Sequence, residues 1–204
     1  MSGASLQRLA EHKVIVRLER SLRERPGAQL ALMEPVKRAA VALIVRGDGE
    51  RLEVLMIKRA SYEGDPWSGH VALPGGRREP GDSSLEATAI RETREETGVD
   101  LAEQGRIIGR LDELRPATPV LPQIFIAPYV ALLGSDAPMT LSAEVDAAFW
   151  VPLSALQDRA AWSDVQLEVR GVRRTFPAFL HGDHVIWGLT ERILQQFLTR
   201  LEDQ

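Results

Sequence analysis

The chain has 204 residues, 44% of them hydrophobic and 26% charged, so it can bury a sizeable core without disulfides or structural metal ions. It has no cysteine, which excludes disulfide bonds and thiolate metal sites and agrees with a reducing, cytoplasmic location. A formal net charge of −4 disfavours a general nucleic-acid partner, and no apolar run approaches the length of about 18 residues that a membrane span needs.

The first 35 residues are predicted to form a helical appendage to a domain that spans residues 36–204. Apolar residues keep partly helical spacing in this segment, at Leu6, Leu9, Ile15, Leu18 and Leu22. Pro26-Gly27 then interrupts the pattern. We expect the appendage to pack on the domain or on a second subunit, and we expect the protein to be a homodimer.

Two apolar runs follow and are predicted to be paired strands of a buried sheet. The first covers Ala39 to Val45, the second covers Leu52 to Ile57, and Gly47-Asp48-Gly49 between them indicates a turn. A loop over residues 61–69 then leads to the short apolar segment Val71 to Leu73. Such a loop can shape a substrate pocket.

The segment 85–97 is predicted to be an α-helix, because it contains neither proline nor glycine and its apolar residues fall on one side. The residues of that side are Leu85, Ala89 and Ile90. Gly98 stands where a C-capping glycine is expected, and Ser83 or Ser84 can cap the N-terminus. Glu86 adds a negative charge near the helix start, where it suits the helix dipole.

Strands dominate the rest of the chain until a final helix. The apolar patterns predict strands at 106–111, 123–133 and 148–151, a hairpin of 165–170 with 173–179, a strand or helix entry at 184–187 and a helix at 188–201. Between the first two of these strands, residues 112–122 contain three prolines, which predicts an irregular loop.

Three carboxylates lie close together on the second half of the predicted helix at 85–97. Glu92 and Glu96 are four residues apart and therefore share a face, with Glu95 beside them. Like charges so placed repel each other by about 0.2–0.5 kcal/mol per pair on an exposed helix. A magnesium ion, which prefers carboxylate oxygens, would remove this repulsion. The alternative is a solvated acidic face with Arg91 and Arg94 as its ion-pair partners.

Two glycines lie ahead of the acidic helix. Pro74-Gly75-Gly76 ends a short apolar segment, and residues without a side chain allow a ligand to approach the backbone closely. We therefore predict a glycine turn that brings metal and phosphate together beside the helix. With these glycines, residues 91–99, which read RETREETGV, resemble the signature of the Nudix hydrolases.

The spacing within this motif resembles that of the coenzyme A pyrophosphatase subfamily. Fourteen residues separate the two glycines from Arg91-Glu92, one more than in the commonest form of the Nudix signature. Thr93 stands where an aliphatic residue is commoner, and the acidic residue before the helix is Asp82 where a glutamate is expected. The segment from Ile186 to Ile193 also resembles the C-terminal end of subfamily members.

The resemblance implies an α/β fold, in which helices cover both faces of a mixed β-sheet as an α/β/α sandwich. It also implies cleavage of a diphosphate linkage with the help of Mg2+ or Mn2+. The implied metal-binding groups are the carboxylates of Glu92, Glu95 and Glu96 and the carbonyl of Gly76. The implied substrate is a small nucleoside diphosphate derivative.

Further roles follow for charged residues around the motif. A carboxylate would take the proton from the attacking water. The candidates for this base are Glu92, Glu95 and Glu144. Arg91 is expected to brace the loop before the helix by pairing with Asp82. Arg59 and Arg77 are candidates for binding a substrate phosphate through bidentate hydrogen bonds.

Coenzyme A or a related compound is the substrate that the resemblance favours. Arg59 matches a second signature of the subfamily, but Ala60 stands where serine is expected and Leu73 where phenylalanine is. ADP-ribose, nucleotide sugars and oxidised or ordinary nucleoside triphosphates are alternative substrates, and a non-catalytic ligand sensor is an alternative function. The complete set of acids on the helix favours an enzyme, a pyrophosphohydrolase, over a sensor.

Overall fold

The structure is a computed structural model that describes residues 2–30, 37–48, 51–62, 68–116, 124–134, 137–169 and 171–202. Its α-helices are α1 (Ser2–Ala10), α2 (Lys13–Glu24), α3 (Leu85–Thr97), α4 (Leu101–Gln104), α5 (Leu153–Gln157) and α6 (Leu189–Glu202). Its strands are β1 (Lys37–Asp48), β2 (Arg51–Arg59), β3 (Val71–Ala72), β4 (Gly75–Arg77), β5 (Gly105–Arg110), β6 (Ile124–Leu133), β7 (Val145–Pro152), β8 (Trp162–Val169), β9 (Val172–His181) and β10 (His184–Trp187). In this part of the chain, no helix combines the length and the apolar character that crossing a bilayer requires.

Strand β1 is the centre of a seven-stranded mixed sheet. It pairs in parallel with β6 along one edge and antiparallel with β2 and β4 along the other. Strands β3 and β7 extend the sheet from β2, and β5 extends it from β6. Strands β8, β9 and β10 form a separate antiparallel sheet. The hairpin predicted at 165–179 is the larger part of this second sheet.

Side chains of β1 alternate between two hydrophobic clusters, as a strand buried on both faces requires. Ala42 and Ile44 belong to the cluster under α3, whereas Leu43 and Val45 belong to the cluster that also holds residues of α1, α2 and α6. Helices therefore cover both faces of the mixed sheet. This arrangement confirms the predicted α/β/α sandwich.

Helices α1 and α2 supply the helical structure expected at the N-terminus. Ile15, Leu18 and Leu22 of α2 are buried in the same cluster as Phe197 of α6. After α2, the N–H of Gly27 donates to the carbonyl of Arg110, and a side chain at residue 27 would overlap the backbone of β5's end. The segment thus packs on the domain. The boundary at residue 35 lies outside the described residues, and the division into appendage and domain stays a prediction.

Two predictions about turns were wrong. Gly75 and Gly76 lie in strand β4, where they pair with Val41 and Ala40 of β1, so they are not a turn. A Cβ on Gly75 would overlap the Ala40 carbonyl oxygen, which explains why a strand at this position contains glycine. Strand β1 also continues through Gly47 to Asp48, which pair with Leu52 and Arg51 of β2, so these two residues are not part of a turn.

Helix α3 has the predicted bounds, and both predicted caps are present. The hydroxyl of Ser84 accepts the Ala87 N–H at 3.0 Å, and Gly98 adopts a left-handed conformation with φ of 72°. The buried side differs from the prediction, because Ile90 is only half-buried while three threonines are fully buried: Thr88, Thr93 and Thr97. Their hydroxyls donate to carbonyls one turn earlier, which satisfies them inside the core.

Candidate active site

The predicted site residues meet where β2, β4 and α3 come together. Arg59 is the last residue of β2, and the β2–β7 register shifts between Lys58 and Arg59. Such irregularities re-aim side chains at functional sites. Gly76 lies in β4, and the three glutamates lie on the second half of α3. The site is therefore built from strand ends and one helix that are fixed by the core.

Glu96 is the most buried acid of the site. Its side chain is 4% exposed, and its Oε2 accepts the N–H of Gly75 at 2.8 Å, while Oε1 lies 3.7 Å from Nη1 of Arg59. Burial raises the pKa of Glu96 to about 7, with the charges of Glu92 and Glu144 adding to the rise and the Gly75 bond and Arg59 opposing it. Additional positive charge nearby would therefore favour the anionic form of Glu96.

Glu92 lies directly against the backbone of Gly76. A Cβ on residue 76 would overlap the Glu92 carboxylate, so only glycine leaves room for the carboxylate in this position. Nη1 of Arg91 is 3.0 Å from Oε1 of Glu92. Burial raises the pKa of Glu92 in spite of this pairing. Two carboxylates with raised pKa values thus face each other across one turn of α3.

Arg91 joins the loop before α3 to the acidic face of the helix. It binds Asp82 through two hydrogen bonds of 3.0 Å, which confirms the predicted brace. The hydrogen bond from Arg91 holds the pKa of buried Asp82 well below its usual range. Arg91 also donates to Glu95 at 2.8 Å and to the carbonyl of Arg77 at 3.0 Å. Arginines therefore provide part of the charge compensation that the sequence alone assigned to a metal ion.

Glu144 approaches the helix from the turn before β7. Its side chain is exposed, as that of an acidic residue in a surface loop would be. The pKa values of Glu92 and Glu96 are raised mainly by the burial of these two residues, and the negative charge of Glu144 adds to the rise. The carboxylate of Glu144 therefore lies within electrostatic reach of the two helix acids.

The structure divides the predicted site residues into an inner group and a rim. The inner group comprises Arg59, Gly76, Glu92 and Glu96. At the rim, Glu95 is 57% exposed and is held by Arg91, and the side chain of Arg77 is exposed while its carbonyl takes part in the brace. The individual roles assigned to these six residues and to Glu144 stay predictions.

The inner group fits a hard divalent cation by its donor chemistry. Among the residues that the structure describes, no group of three or more His, Cys, Asp or Glu side chains is already arranged around an ion position. Two carboxylates and a backbone carbonyl nevertheless form the partial oxygen set that Mg2+ uses when waters and phosphate oxygens fill its other positions. A buried Glu96 with a pKa of about 7 beside Glu92 is an acid pair that a cation would stabilise.

Two groups at the site were missed by the sequence reasoning. One is the N–H of Gly75, which holds Glu96 in place. The other is Tyr62, whose hydroxyl donates to the carbonyl of Ala143 at 2.9 Å, next to Glu144. Tyr62 and Ala143 are 81 residues apart in the chain, so no local pattern indicates this contact.

Comparisons with known proteins match the chain over most of its length. The NUDIX domain model matches residues 36–169. The mitochondrial coenzyme A diphosphatase NUDT8 of Homo sapiens is 37% identical over 138 residues, which are 65% of this chain and 56% of that protein. NUDT8 of Mus musculus is 30% identical over 196 residues, 93% of this chain and 85% of that protein. The chain thus spans only about half the length of the human relative.

One solved structure supports the fold. A MutT/nudix family protein from Enterococcus faecalis superposes with a TM-score of 0.58 and 22% sequence identity. The superposition covers 86% of this chain and 65% of that one.

Proposed function

Since the chain belongs to the Nudix family, we propose that it is a pyrophosphohydrolase that cleaves the diphosphate linkage of a nucleoside diphosphate derivative, with Mg2+ or Mn2+ as cofactor. One observation carries this proposal above the others. The carboxylates of Glu92 and Glu96 lie side by side against the glycine backbone of β4, and burial raises the pKa of both. Acids in this state gain the most from a cation between them.

Four groups would hold the cation. They are the carboxylates of Glu92, Glu96 and Glu95 and the carbonyl of Gly76. When bound, the cation would shield the charge of the diphosphate and lower the pKa of a water molecule. Glu95 would have to leave Arg91, to which it is bound at 2.8 Å, in order to join the set.

Arg59 and Arg77 are the proposed contacts to the diphosphate. Arg59 is the better placed of the two, because its guanidinium group is already 3.7 Å from Glu96. A guanidinium group can bind two phosphate oxygens at once. The exposed side chain of Arg77 can reach substrate from the rim.

Glu144 is the proposed base that takes the proton from the attacking water. Its two rivals, Glu92 and Glu95, are both engaged by Arg91. Glu144 is exposed and lies within electrostatic reach of Glu92 and Glu96, so it can meet a water molecule at the edge of the site.

Coenzyme A or a related compound is the proposed substrate. Support comes from the human and mouse relatives, which are named as coenzyme A diphosphatases. Support also comes from the fourteen-residue spacing ahead of Arg91. The departure at Leu73 does not weaken this proposal, because Leu73 is buried in the hydrophobic core. Leucine in place of phenylalanine at that position changes the packing of the core and not the groups that face the substrate.

A substrate panel tests the proposal. Coenzyme A, ADP-ribose, a nucleotide sugar and a nucleoside triphosphate would each be offered with Mg2+ and with Mn2+, and ranked by kcat/KM. Coenzyme A is expected to rank first. A higher kcat/KM for ADP-ribose would reject coenzyme A as the substrate, and tight binding of these compounds with no turnover would favour the ligand-sensor alternative.

A further inference from the structure

The turn that carries Glu144 is attached to helix α3 on one side. The N–H of Thr140 donates to the carbonyl of Thr97 at 2.8 Å, and the N–H of Ser142 donates to the carbonyl of Glu96 at 3.0 Å. The turn is therefore fixed to the last turn of α3, which carries Glu96.

On its other side the turn is attached to the segment that follows β2. The N–H of Ala60 donates to the carbonyl of Glu144 at 2.8 Å, and the hydroxyl of Tyr62 donates to the carbonyl of Ala143 at 2.9 Å. The backbone of Tyr62 is itself anchored, because its N–H donates to Oγ of Ser68 at 2.8 Å.

The hydrogen bonds donated by the Ala60 N–H and the Tyr62 hydroxyl fix the two peptide groups on either side of the Glu144 Cα atom. The carbonyl of Ala143 belongs to the peptide before that atom, and the carbonyl of Glu144 belongs to the peptide after it. Since each peptide group is planar, holding both carbonyls fixes the backbone torsions of residue 144 and so the direction of its side chain. Only the side-chain torsions of Glu144 then remain free.

We propose that Tyr62 is a positioning residue, whose hydroxyl group fixes the Ala143–Glu144 peptide and thereby directs the Glu144 carboxylate towards Glu92 and Glu96. This inference rests on the proposed function of Glu144 as the catalytic base. Tyr62 is suited to the task because its ring has few rotatable bonds and places the hydroxyl at a fixed reach. Half of its surface is exposed, so it contributes little to the core.

The test is Tyr62→Phe, which removes the hydroxyl and keeps the ring. The expected result is a loss of about three- to tenfold in kcat, the effect of one net hydrogen bond, with an unchanged KM. Amide hydrogen exchange over residues 140–145 of the metal-free protein is expected to become several-fold faster. Tyr129→Phe, the same change at the other of the two tyrosines, is the matched control and should alter neither quantity.

A double-mutant cycle shows whether Tyr62 acts through Glu144. In a Glu144→Gln background, Tyr62→Phe should cause no further loss of kcat. An equal loss in both backgrounds would overturn the positioning role, and so would unchanged exchange at 140–145 in the single variant. If the wild-type protein hydrolyses none of the panel substrates, the proposed function fails. The hydrogen exchange rates at residues 140–145 test the contact from Tyr62 independently of that outcome.

Discussion

Replacing Gly76 with alanine should inactivate the protein without unfolding it. The new Cβ would lie 2.6 Å from Oε2 of Glu92 and still closer to the rest of the carboxylate, whereas an ordinary contact needs about 3.4 Å. The carboxylate would therefore have to retreat by about 1 Å. A displacement of that size at a reacting centre costs about 100-fold in rate. The atoms that must move are the end of a flexible side chain, so we expect the free energy of unfolding to change by less than about 1 kcal/mol.

Two other glycines provide matched controls. Gly75→Ala should destabilise the protein by more than about 2 kcal/mol, because its φ is 153° and the new Cβ would overlap the backbone of Ala40 and Val41. Gly81→Ala should change nothing, because no atom lies within 4 Å of its Cβ position. Denaturant unfolding would be measured for all three, together with kcat/KM as a function of Mg2+ concentration. Wild-type kcat/KM and metal response in Gly76→Ala would refute the assigned contact with Glu92.

Three further predictions concern the acids and the assembly. Glu96→Gln keeps the acceptor for the Gly75 N–H, so the melting temperature should stay nearly unchanged. The variant should lower kcat by more than about 100-fold. A near wild-type kcat at saturating Mg2+ would count against Glu96 as a metal ligand. Asp82→Asn should lower the free energy of unfolding by about 2–4 kcal/mol at pH 7, since it breaks a buried pair with Arg91. The folded-state pKa of Asp82 lies below its ordinary value, so this stabilisation is complete above about pH 4 and is lost as the pH falls further. The free energies of unfolding of the wild-type protein and the variant should therefore converge in acid. A difference between them that does not change with pH would contradict the pairing. Light scattering should give twice the 22.6 kDa chain mass if the protein is a homodimer, and the mass of a single chain would reject this.

Local patterns in the sequence were sufficient for helix α3 and its caps. The proline- and glycine-free segment, the serine before it and Gly98 after it act within a few residues of one another. The pairing of Arg91 with Asp82 was predictable for the same reason, because the two residues are nine apart. Glu92, Glu95 and Glu96 were found from their spacing on the predicted helix and from the resemblance, both of which depend on the same short segment.

Contacts between distant segments could not be predicted in this way. Gly75 and Gly76 indicate a turn in the sequence, but they form strand β4 because they pair with β1. The glycine at residue 75 is explained by the close approach of the Ala40 carbonyl, which lies far away in the sequence. The buried threonines of α3 look polar in the sequence, because their bonds to carbonyls one turn earlier appear only once the helix is packed. The ion pair between Arg59 and Glu96 likewise depends on the meeting of β2 with α3.

Anomalous diffraction from crystals soaked in Mn2+ would show whether Glu92 and Glu96 hold a cation. We expect a strong peak bounded by the carboxylates of Glu92, Glu95 and Glu96 and the carbonyl of Gly76. Arg59 is expected to move away from Glu96, and Glu95 to leave Arg91. Crystals without such a peak, in which Glu92 stays on Arg91 and Glu96 stays on Arg59 at saturating Mn2+, would contradict it.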